Sequence, residues 1–482
     1  MLVEGSATYP GLWFPARWFY AFPGLSSPDL PRWQAAGAYY GSLVLLGMAW
    51  MWFLRAVRAA PRFPAWLVLV VFVLWSVPFL VGPPASSEDV YAYAGTGLLV
   101  ERGLDPYEVG VAALGPEPVV NLAPPFWIDD PAPYGPLSLR TAWAASVVTD
   151  GSARATVIVL RLIGMACLLL LALPLTFLAR RAGARPAVAL AAVLCSPLVL
   201  LQLVGAAHNE TLMLVLLTGG VAVGLAGLAH ERRDRRLVLF ATGVALCGAG
   251  AAVKVPALAG AVLLGWMWAG AGASTWKRLP GVIASGVLAT VVVVGVSLGS
   301  GLGLGWVNAL DVPQGAYTLL APFTAFGVVI QEMVGALGWP EGWVLSWMRP
   351  AGTVLGVVVA GLFIMRTDRL GPTLALGLAL LALGATTPAV WPWYATWGLV
   401  FVGVTSMPAG LQVAVVAVNL AVTPLGPGTL DVTNRPNAGA VFMTLVVLGA
   451  GALVLRDLLG RGRRPEPATV STSPGGLGAG DG

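Results

Sequence analysis

The chain has 482 residues, of which 57% are hydrophobic and only 10% are charged, and its mean hydropathy is +0.82. Soluble globular proteins carry about a quarter charged residues, so a cytosolic enzyme, a secreted disulfide scaffold and a nucleic-acid binder are all improbable. The net charge of +5 is explained better by basic cytoplasmic loops of a membrane protein than by nucleic acid. Cys167, Cys195 and Cys247 all lie in apolar runs, which argues against disulfides and against a zinc site.

Apolar runs along the whole chain predict an all-α polytopic membrane protein with about 13 transmembrane helices, because a span needs about 20 apolar residues. The predicted spans lie near 35–54, 65–82, 155–179, 186–204, 211–229, 237–253, 255–271, 279–300, 351–365, 371–387, 390–406, 409–425 and 438–455. We expect residues 1–34 to form an extracytoplasmic or interfacial segment and 35–455 to form the transmembrane domain. Residues 456–482, which are rich in Gly, Pro, Ser and Thr from Pro465 onward, are predicted to form a disordered cytoplasmic tail.

The distribution of charge predicts the orientation in the membrane. With the loop that holds Arg55, Arg58 and Arg62 placed inside, most of the 27 basic residues fall inside and most of the 22 acidic residues fall outside. The C-terminus is then cytoplasmic, and the two long loops, 83–154 and 301–350, are extracytoplasmic. The inner loops are short and basic, so we expect any chemistry at the outer face of the cell membrane.

The first outer loop opens with two adjacent carboxylates, Glu88 and Asp89, where a predicted helix leaves the membrane. Carboxylates in this position could serve as a general base or as ligands of a divalent ion. Neighbouring residues do not share a helix face, so one of the two is expected to point into a site. The alternative is two ordinary solvated acids, with Ser87 or Asp89 capping a helix over 90–101.

Two proline-rich turns in the same loop present further polar side chains. The segment 103–107 carries Asp105 and Tyr107, and the segment 131–136 carries Tyr134. Proline fixes φ and reduces the entropy of a loop, so these side chains are expected in defined positions. Each turn could also be purely structural, although a rigid loop of this length typically covers or lines a site.

Three more features lie at predicted outer boundaries. Lys254 interrupts the apolar run 237–271 just before a proline, and a cation beside a helix start predicts an anion site, unless the lysine only snorkels to the headgroups. His208 is followed by Asn209, which could simply cap the next helix. Trp393 and Tyr394 belong to an aromatic cluster that fits either an interfacial belt or the wall of a sugar pocket.

These segments together resemble a known family. The matching pieces, in chain order, are Asp89-Val90-Tyr91-Ala92-Tyr93, Gly103-Leu104-Asp105-Pro106-Tyr107, Pro133-Tyr134-Gly135-Pro136-Leu137, His208-Asn209-Glu210, Lys254-Val255-Pro256 and Pro392-Trp393-Tyr394. In this order they resemble the polyprenol-phosphomannose-dependent α-(1→6)-mannosyltransferases of actinobacterial cell envelopes, which are GT-C class membrane glycosyltransferases. The resemblance implies a GT-C-type helical bundle whose large first extracytoplasmic loop carries short interfacial helices.

The resemblance also implies an inverting hexosyltransferase that moves mannose from polyprenyl-phosphate-mannose to a mannan-type glycolipid acceptor, forming α-(1→6) linkages in a lipomannan-like glycan. Asp89 is then the catalytic base, with Glu88 as the alternative carboxylate. The residues expected at the donor phosphate are Lys254, His208 and Arg102. The residues expected at the sugar are Tyr91, Asp105, Tyr134, Trp393 and Tyr394. No cofactor is required, although Glu88 and Asp89 could hold a divalent metal ion.

Two alternatives stay open from the residues alone. A related GT-C transferase could use another polyprenol-linked sugar, such as arabinofuranose or glucose, because no residue pattern distinguishes these sugars. A lipid or sugar transporter or flippase would instead be expected to show internal repeats and polar residues near the middle of the bilayer. Here the polar residues gather at one face, which favours the enzyme.

Overall fold

The computed structural model describes residues 32–84, 86–125, 127–310, 318, 320–406 and 409–423. Within these ranges the regular structure is entirely helical, and no β-strand occurs among them. Several sequence-based expectations fall outside the described residues: the span 438–455, the tail 456–482, and the N-terminal segment up to residue 31. The all-α prediction is therefore confirmed for the described part of the chain.

The N-terminal part carries the first large loop. Its helices are α1 (Arg32–Ala59), α2 (Ala65–Val81), α3 (Asp89–Glu101), α4 (Pro118–Leu122) and α5 (Pro136–Val147). The central part consists of α6 (Ala153–Arg181), α7 (Pro186–Val193), a π-helical segment (Val199–Gly205), α8 (Glu210–Leu228), α9 (Arg233–Ala251), a 3-10 turn (Val255–Ala257), α10 (Leu258–Met267) and α11 (Thr275–Gly299).

The C-terminal part contains shorter helices around one long one. Its described elements are α12 (Trp306–Ala309), α13 (Pro322–Ala336), α14 (Trp343–Met365), α15 (Thr367–Leu370), α16 (Pro372–Thr386), a 3-10 turn (Pro392–Tyr394), α17 (Ala395–Val402) and α18 (Ala409–Val422). Proline stands in the first turn of α13 and α16, where its missing N–H has no intrahelical partner to lose.

Five of the described helical segments are long and apolar enough to cross a membrane: Gly41–Ala59, Ala153–Arg181, Glu210–Leu228, Thr275–Gly299 and Trp343–Met365. Five shorter apolar helices accompany them, including Ala65–Val81 and Pro322–Ala336. The chain is therefore a helical membrane protein, whereas the number of 13 spans stays a prediction. The predicted loop 301–350 contains α13, which sequence analysis did not expect because its apolar run is shorter than a bilayer requires.

Close packing of α8 against α9 fixes the frame of the site. A Cβ on Gly220 would lie 2.6 Å from the carbonyl oxygen of Gly243, so the two backbones can touch only because both positions lack side chains. The helices have 19 residues each and run antiparallel, so the start of α8 and the end of α9 lie at the same level. This arrangement brings Glu210, the first residue of α8, next to Lys254, three residues beyond α9.

The first large loop has a core of its own. Val90, Tyr91 and Leu99 of α3 are buried against Val111 and Leu114, apart from the main apolar cluster that joins the long helices. A separately packed loop holds its backbone in place without help from lipid. The segment after α2 is therefore a firm support for the side chains at the start of α3.

Candidate active site

Asp89 lies at the first turn of α3, directly after a tightly bent segment. Ser86 has a positive φ of 68°, and the Asp89 amide N–H donates to the Ser87 hydroxyl at 3.2 Å. The Asp89 side chain is 3% exposed, and its Oδ1 oxygen has no hydrogen-bond partner among the described residues. A buried carboxylate oxygen without a partner is costly to keep, so it marks a place where a substrate group could bind.

His208 lies beneath Asp89 and does not line the cavity. Its Nδ1 is 3.1 Å from the Tyr93 hydroxyl and 3.8 Å from Asp89 Oδ2, and the ring is completely buried. The imidazole also stacks on Trp393, with ring centroids 3.6 Å apart. His208 therefore connects the carboxylate of the first loop to the aromatic turn that precedes α17.

Lys254 provides the positive charge of the site. Its ammonium pairs with Oε1 of Glu210, and the Glu210 side chain is fully buried. The same ammonium lies over three aromatic rings, 4.6 Å from the centroid of Tyr394, 5.5 Å from Trp397 and 5.9 Å from Tyr134. The counter-charge and the ring faces together keep a cation charged in an apolar environment.

Tyr134 is brought to Lys254 by a backbone contact. The amide of Gly135 donates to the Val253 carbonyl at 3.1 Å, and the amide of Leu137 donates to the Ala252 carbonyl at 3.0 Å. A Cβ on Gly135 would lie 2.1 Å from the Ala252 carbonyl oxygen, so this approach requires glycine. The Tyr107 hydroxyl donates to the Tyr134 carbonyl at 3.0 Å and holds the turn from its other side.

These side chains meet on one cavity of about 720 Å³. Its polar and aromatic lining consists of Asp89, Trp127, Tyr134, Lys254, Trp306, Thr353, Thr386, Thr387, Trp391, Trp393, Tyr394 and Trp397. The rest of the lining is apolar and comes largely from α10, α14 and α16. The cavity follows α14 from Thr353 to Ile364, a length of about 17 Å at 1.5 Å per residue.

Burial and neighbouring charge set the protonation of these groups. Burial, opposed by Lys254, raises the pKa of Asp89 to about 7. Burial and the Asp89 charge likewise raise the pKa of Glu88 to about 7. Burial and Lys254 hold the pKa of His208 well below its usual range, so this imidazole is neutral. Burial alone would lower the pKa of Lys254, but Glu210 outweighs it and the pKa lies above its usual value.

Comparison with known proteins identifies the family. A model described as the N-terminal domain of α-(1→6)-mannopyranosyltransferases of the MptA_B family matches residues 18–270, and one for the MptB C-terminal domain matches 323–455. A probable α-(1→6)-mannopyranosyltransferase of Mycolicibacterium smegmatis is 30% identical over 465 residues, covering 89% of this chain and 82% of the relative. The chain belongs to the MptA_B family of α-(1→6)-mannopyranosyltransferases.

Two relatives from Mycobacterium tuberculosis agree. An α-(1→6)-mannopyranosyltransferase is 29% identical, with 86% of this chain and 77% of the relative covered. The α-(1→6)-mannopyranosyltransferase A of the same organism is 28% identical, with 79% and 72% covered. No solved structure matches. The resemblance drawn from the six short motifs is thus confirmed, and this member of the family is a membrane mannosyltransferase and hence a hexosyltransferase.

The structure of this mannosyltransferase brings together five of the predicted site residues on the cavity wall: Asp89, Tyr134, Lys254, Trp393 and Tyr394. Trp393 is stacked between His208 and Trp391, and Tyr394 is stacked on Trp397. The faces of these two rings are therefore covered by protein, and it is their edges that remain for a ligand.

Other predicted residues lie elsewhere. Arg102 pairs with Glu117, and its side chain is 43% exposed. Asp105 is exposed, and its Oδ1 accepts the Tyr107 amide N–H at 2.8 Å, which makes it a turn-stabilising residue. Tyr91 is buried in the core of the first loop, and none of these three residues lines the cavity. Their assigned roles stay predictions that this arrangement does not support.

Glu210 and Trp397 are the main site residues that sequence analysis left without a role. Glu210 stands in the same short motif as His208, but only the antiparallel packing of α8 and α9 shows that it meets Lys254. The signal available in the sequence was Lys254 itself, because a cation in an apolar run requires a nearby anion. With nine acidic residues in the predicted outer loop 83–154 and three in 301–350, sequence alone could not select the partner.

The proposed metal ligands are few. Among the described residues, no group of three or more His, Cys, Asp or Glu side chains comes together to hold an ion. Glu88 does not line the cavity, so Glu88 and Asp89 would supply at most two ligands. The divalent ion stays a prediction, and no step below is assigned to it.

Proposed function

We propose that this mannosyltransferase takes mannose from polyprenyl-phosphate-mannose and transfers it with inversion to a mannan-type glycolipid, extending an α-(1→6)-linked lipomannan-like glycan. The observation that carries the proposal is the Asp89 carboxylate oxygen, which is buried with no hydrogen-bond partner in the described part of the chain and lies on the same cavity as the Lys254 ammonium. One group can accept a proton, and the other can stabilise an anion. Glycosyl transfer from a phosphate carrier needs both.

In the proposed reaction, the acceptor hydroxyl attacks the anomeric carbon as Asp89 takes its proton. The bond between that carbon and the phosphate oxygen breaks, and its electron pair leaves with the polyprenyl phosphate. Attack from the face opposite the leaving group turns a β-mannosyl phosphate into an α-mannoside through an oxocarbenium-like state, as in inverting glycoside hydrolysis. Because the pKa of Asp89 is about 7, the carboxylate is available near neutral pH and can release its proton afterwards.

Lys254 is proposed to bind the leaving phosphate. In the structure its charge is balanced by Glu210, so the two form a neutral pair on the cavity wall. A phosphate that enters the cavity can bind the Lys254 ammonium. Until the phosphate arrives, Glu210 keeps the lysine protonated. His208, which is buried and neutral, acts in this proposal by orienting Asp89 and Trp393 rather than by touching the phosphate.

The shape of the cavity supports a lipid-linked donor. The lining along α14 is apolar from Val357 to Ile364, about 10 Å at 1.5 Å per residue, and α10 adds Leu258, Ala259 and Val262. An isoprenoid chain could lie along such a wall while the sugar stays at Asp89. Nucleotide sugars offer no comparable apolar portion, so the cavity favours the polyprenol carrier.

The architecture proposed for the whole chain is a GT-C-type bundle with about 13 spans. Its catalytic domain would extend over 35–455, with the active site extracytoplasmic and the C-terminus cytoplasmic. The charge distribution supports this orientation, since the basic residues gather on one set of loops. The short helices α3 to α5 fit the expectation of a first large loop that carries helices of its own.

The proposal is tested with the purified full-length protein in liposomes that contain a glycolipid acceptor and radiolabelled polyprenyl-phosphate-mannose. We expect mannose transfer by the wild-type protein and a loss of about 10²- to 10⁴-fold in kcat for Asp89→Asn, which removes the base but keeps the shape. Asp130→Asn is the matched control, because Asp130 is an exposed carboxylate of the same loop. It should retain full activity.

The same assay separates the alternatives. Labelled polyprenyl-phosphate-arabinofuranose and polyprenyl-phosphate-glucose replace the mannose donor in parallel reactions, and preferred use of either one would replace the sugar assignment. Movement of the labelled donor across the liposome membrane without transfer would favour a flippase. An Asp89→Asn protein that folds normally and transfers mannose at the wild-type rate contradicts the assignment of the base.

A further inference from the structure

Arg161 is a buried charge in the first third of α6 that the proposed reaction does not use. The residue is 1% exposed, and it lies within the candidate membrane span Ala153–Arg181. Its guanidinium donates to the carbonyl oxygens of Gly82 at 2.5 Å, Leu80 at 3.2 Å and Gly205 at 2.5 Å. A charge at membrane depth is expensive, so an arginine kept there typically has a function.

The carbonyls that Arg161 holds belong to two segments far apart in sequence. Leu80 and Gly82 close α2, and Gly205 closes the π-helical segment. A few residues further on, these same segments carry Asp89 and His208. The rigid, planar guanidinium of Arg161 therefore links the two segments that lead to the Asp89 carboxylate and to the neighbouring His208 imidazole.

Both segments are strained between the held carbonyl and the functional side chain. Ser86 has a φ of 68° and Ala207 has a φ of 54°, both in the left-handed region that residues with a Cβ avoid. A second tie joins the same segments, because the Ser86 hydroxyl donates to Gln202 Oε1 at 3.2 Å. Strained backbone persists only where the surroundings force it, and Arg161 and Gln202 supply that force here.

We propose that Arg161 is a positioning residue of the transferase site, which fixes the place of Asp89 relative to His208 by joining the end of α2 to the end of the π-helical segment. This inference rests on the proposed role of Asp89. Arg161 does not line the cavity, so it acts on the reaction only through the aim of the Asp89 carboxylate. A small misplacement of a catalytic group lowers the rate of the chemical step more than it lowers substrate binding.

The test compares two arginines that make the same kind of contact. Arg161→Lys keeps the positive charge, but a single ammonium cannot reproduce the fork that spans three carbonyls. Arg185→Lys is the matched control, because Arg185 also donates to three backbone carbonyls, those of Val57, Arg58 and Ala60. The carbonyls that Arg185 holds come before the start of α2, whereas Arg161 holds those of Leu80 and Gly82 at its end. The 17 residues of α2 place its two ends about 25 Å apart.

We measure kcat and KM for the labelled mannose donor, together with the thermal unfolding midpoint in detergent. Arg161→Lys should lower kcat by about 10- to 100-fold with KM changed by less than about threefold. Arg185→Lys should lose a similar amount of thermal stability while keeping its kcat. Equal kcat values in the two variants, or a rise in KM at unchanged kcat for Arg161→Lys, would overturn the inference.

Ser86→Ala keeps the inference testable if Arg161→Lys does not fold. It removes only the tie to Gln202 and should lower kcat by roughly 2- to 10-fold with KM unchanged. An unchanged kcat in Ser86→Ala would contradict the inference in that case. Failure of the underlying function is distinguishable, because then the wild-type protein itself transfers no mannose and Asp89→Asn causes no loss.

Discussion

The two acidic residues of the site, Asp89 and Glu210, stand in similar sequence contexts and end in different environments. Each lies in the first turn of an apolar helix, where the helix dipole favours a negative charge. Glu210 is paired with Lys254, whereas Asp89 lines the cavity, and one of its oxygens has no partner among the residues that the structure describes. The difference teaches that a carboxylate becomes a counter-charge or a proton acceptor according to which cation the packing brings to it.

Among the changes that test this comparison, removal of the Lys254 cation is expected to have the largest effect. Lys254→Met removes the proposed phosphate ligand, and we expect kcat/KM for the lipid-linked donor to fall by about 10²- to 10³-fold. Glu210 is then a buried charge without its partner, so the free energy of unfolding should fall by about 3–5 kcal/mol. Donor kinetics and chemical unfolding in detergent measure the two effects, and a variant with wild-type kcat/KM would remove Lys254 from the site.

A double variant separates stability from activity. In Lys254→Met with Glu210→Leu, both charges are gone, and a buried ion pair replaced by apolar side chains is typically neutral for stability. We therefore expect the unfolding free energy to return towards that of the wild type, while transfer stays at the level of Lys254→Met. Recovery of transfer along with stability would mean that the pair serves folding only.

The pH dependence tests the other carboxylate. Asp89 acts as a base only when ionised, and burial raises its pKa to about 7. The rate should therefore fall about tenfold for each pH unit below 7 and level off above it. A profile of kcat/KM against pH in the reconstituted system measures this, and a plateau that extends down to pH 5 would show that no group with this pKa controls the rate.

Glu88 titrates in the same range, since burial and Asp89 raise its pKa to about 7 as well, so the pH profile alone does not separate the two acids. Glu88→Gln does. Glu88 lies outside the cavity lining, and we expect kcat within about threefold of the wild type with the acid limb of the profile retained. Loss of that limb in Glu88→Gln, together with its persistence in Asp89→Asn, would transfer the role of base to Glu88.

The sequence predicted local properties better than long-range contacts. Hydropathy and short motifs were enough to predict a helical membrane mannosyltransferase and to select Asp89 and Lys254, which the fold brings to one cavity, because apolar length and short motifs are local signals. The pairing of Lys254 with Glu210 depends on how tightly α8 and α9 pack through Gly220 and Gly243, which no local pattern reveals. The stacking of His208 on Trp393 joins residues 185 positions apart, and likewise required the fold.

Substitution of Arg102 is expected to have the smallest effect. It is the clearest test of how far local sequence patterns can place a residue. Arg102 was expected at the donor phosphate, but α3 separates it from Asp89, and it pairs with Glu117 at the surface. An exposed ion pair contributes about 0–1 kcal/mol, so Arg102→Gln should change the unfolding free energy by no more than this and leave kcat/KM within about twofold. A fall of tenfold or more in kcat/KM would mean that the donor draws Arg102 into contact with the phosphate, since in the free protein the 13-residue helix that begins at Asp89 ends just before Arg102.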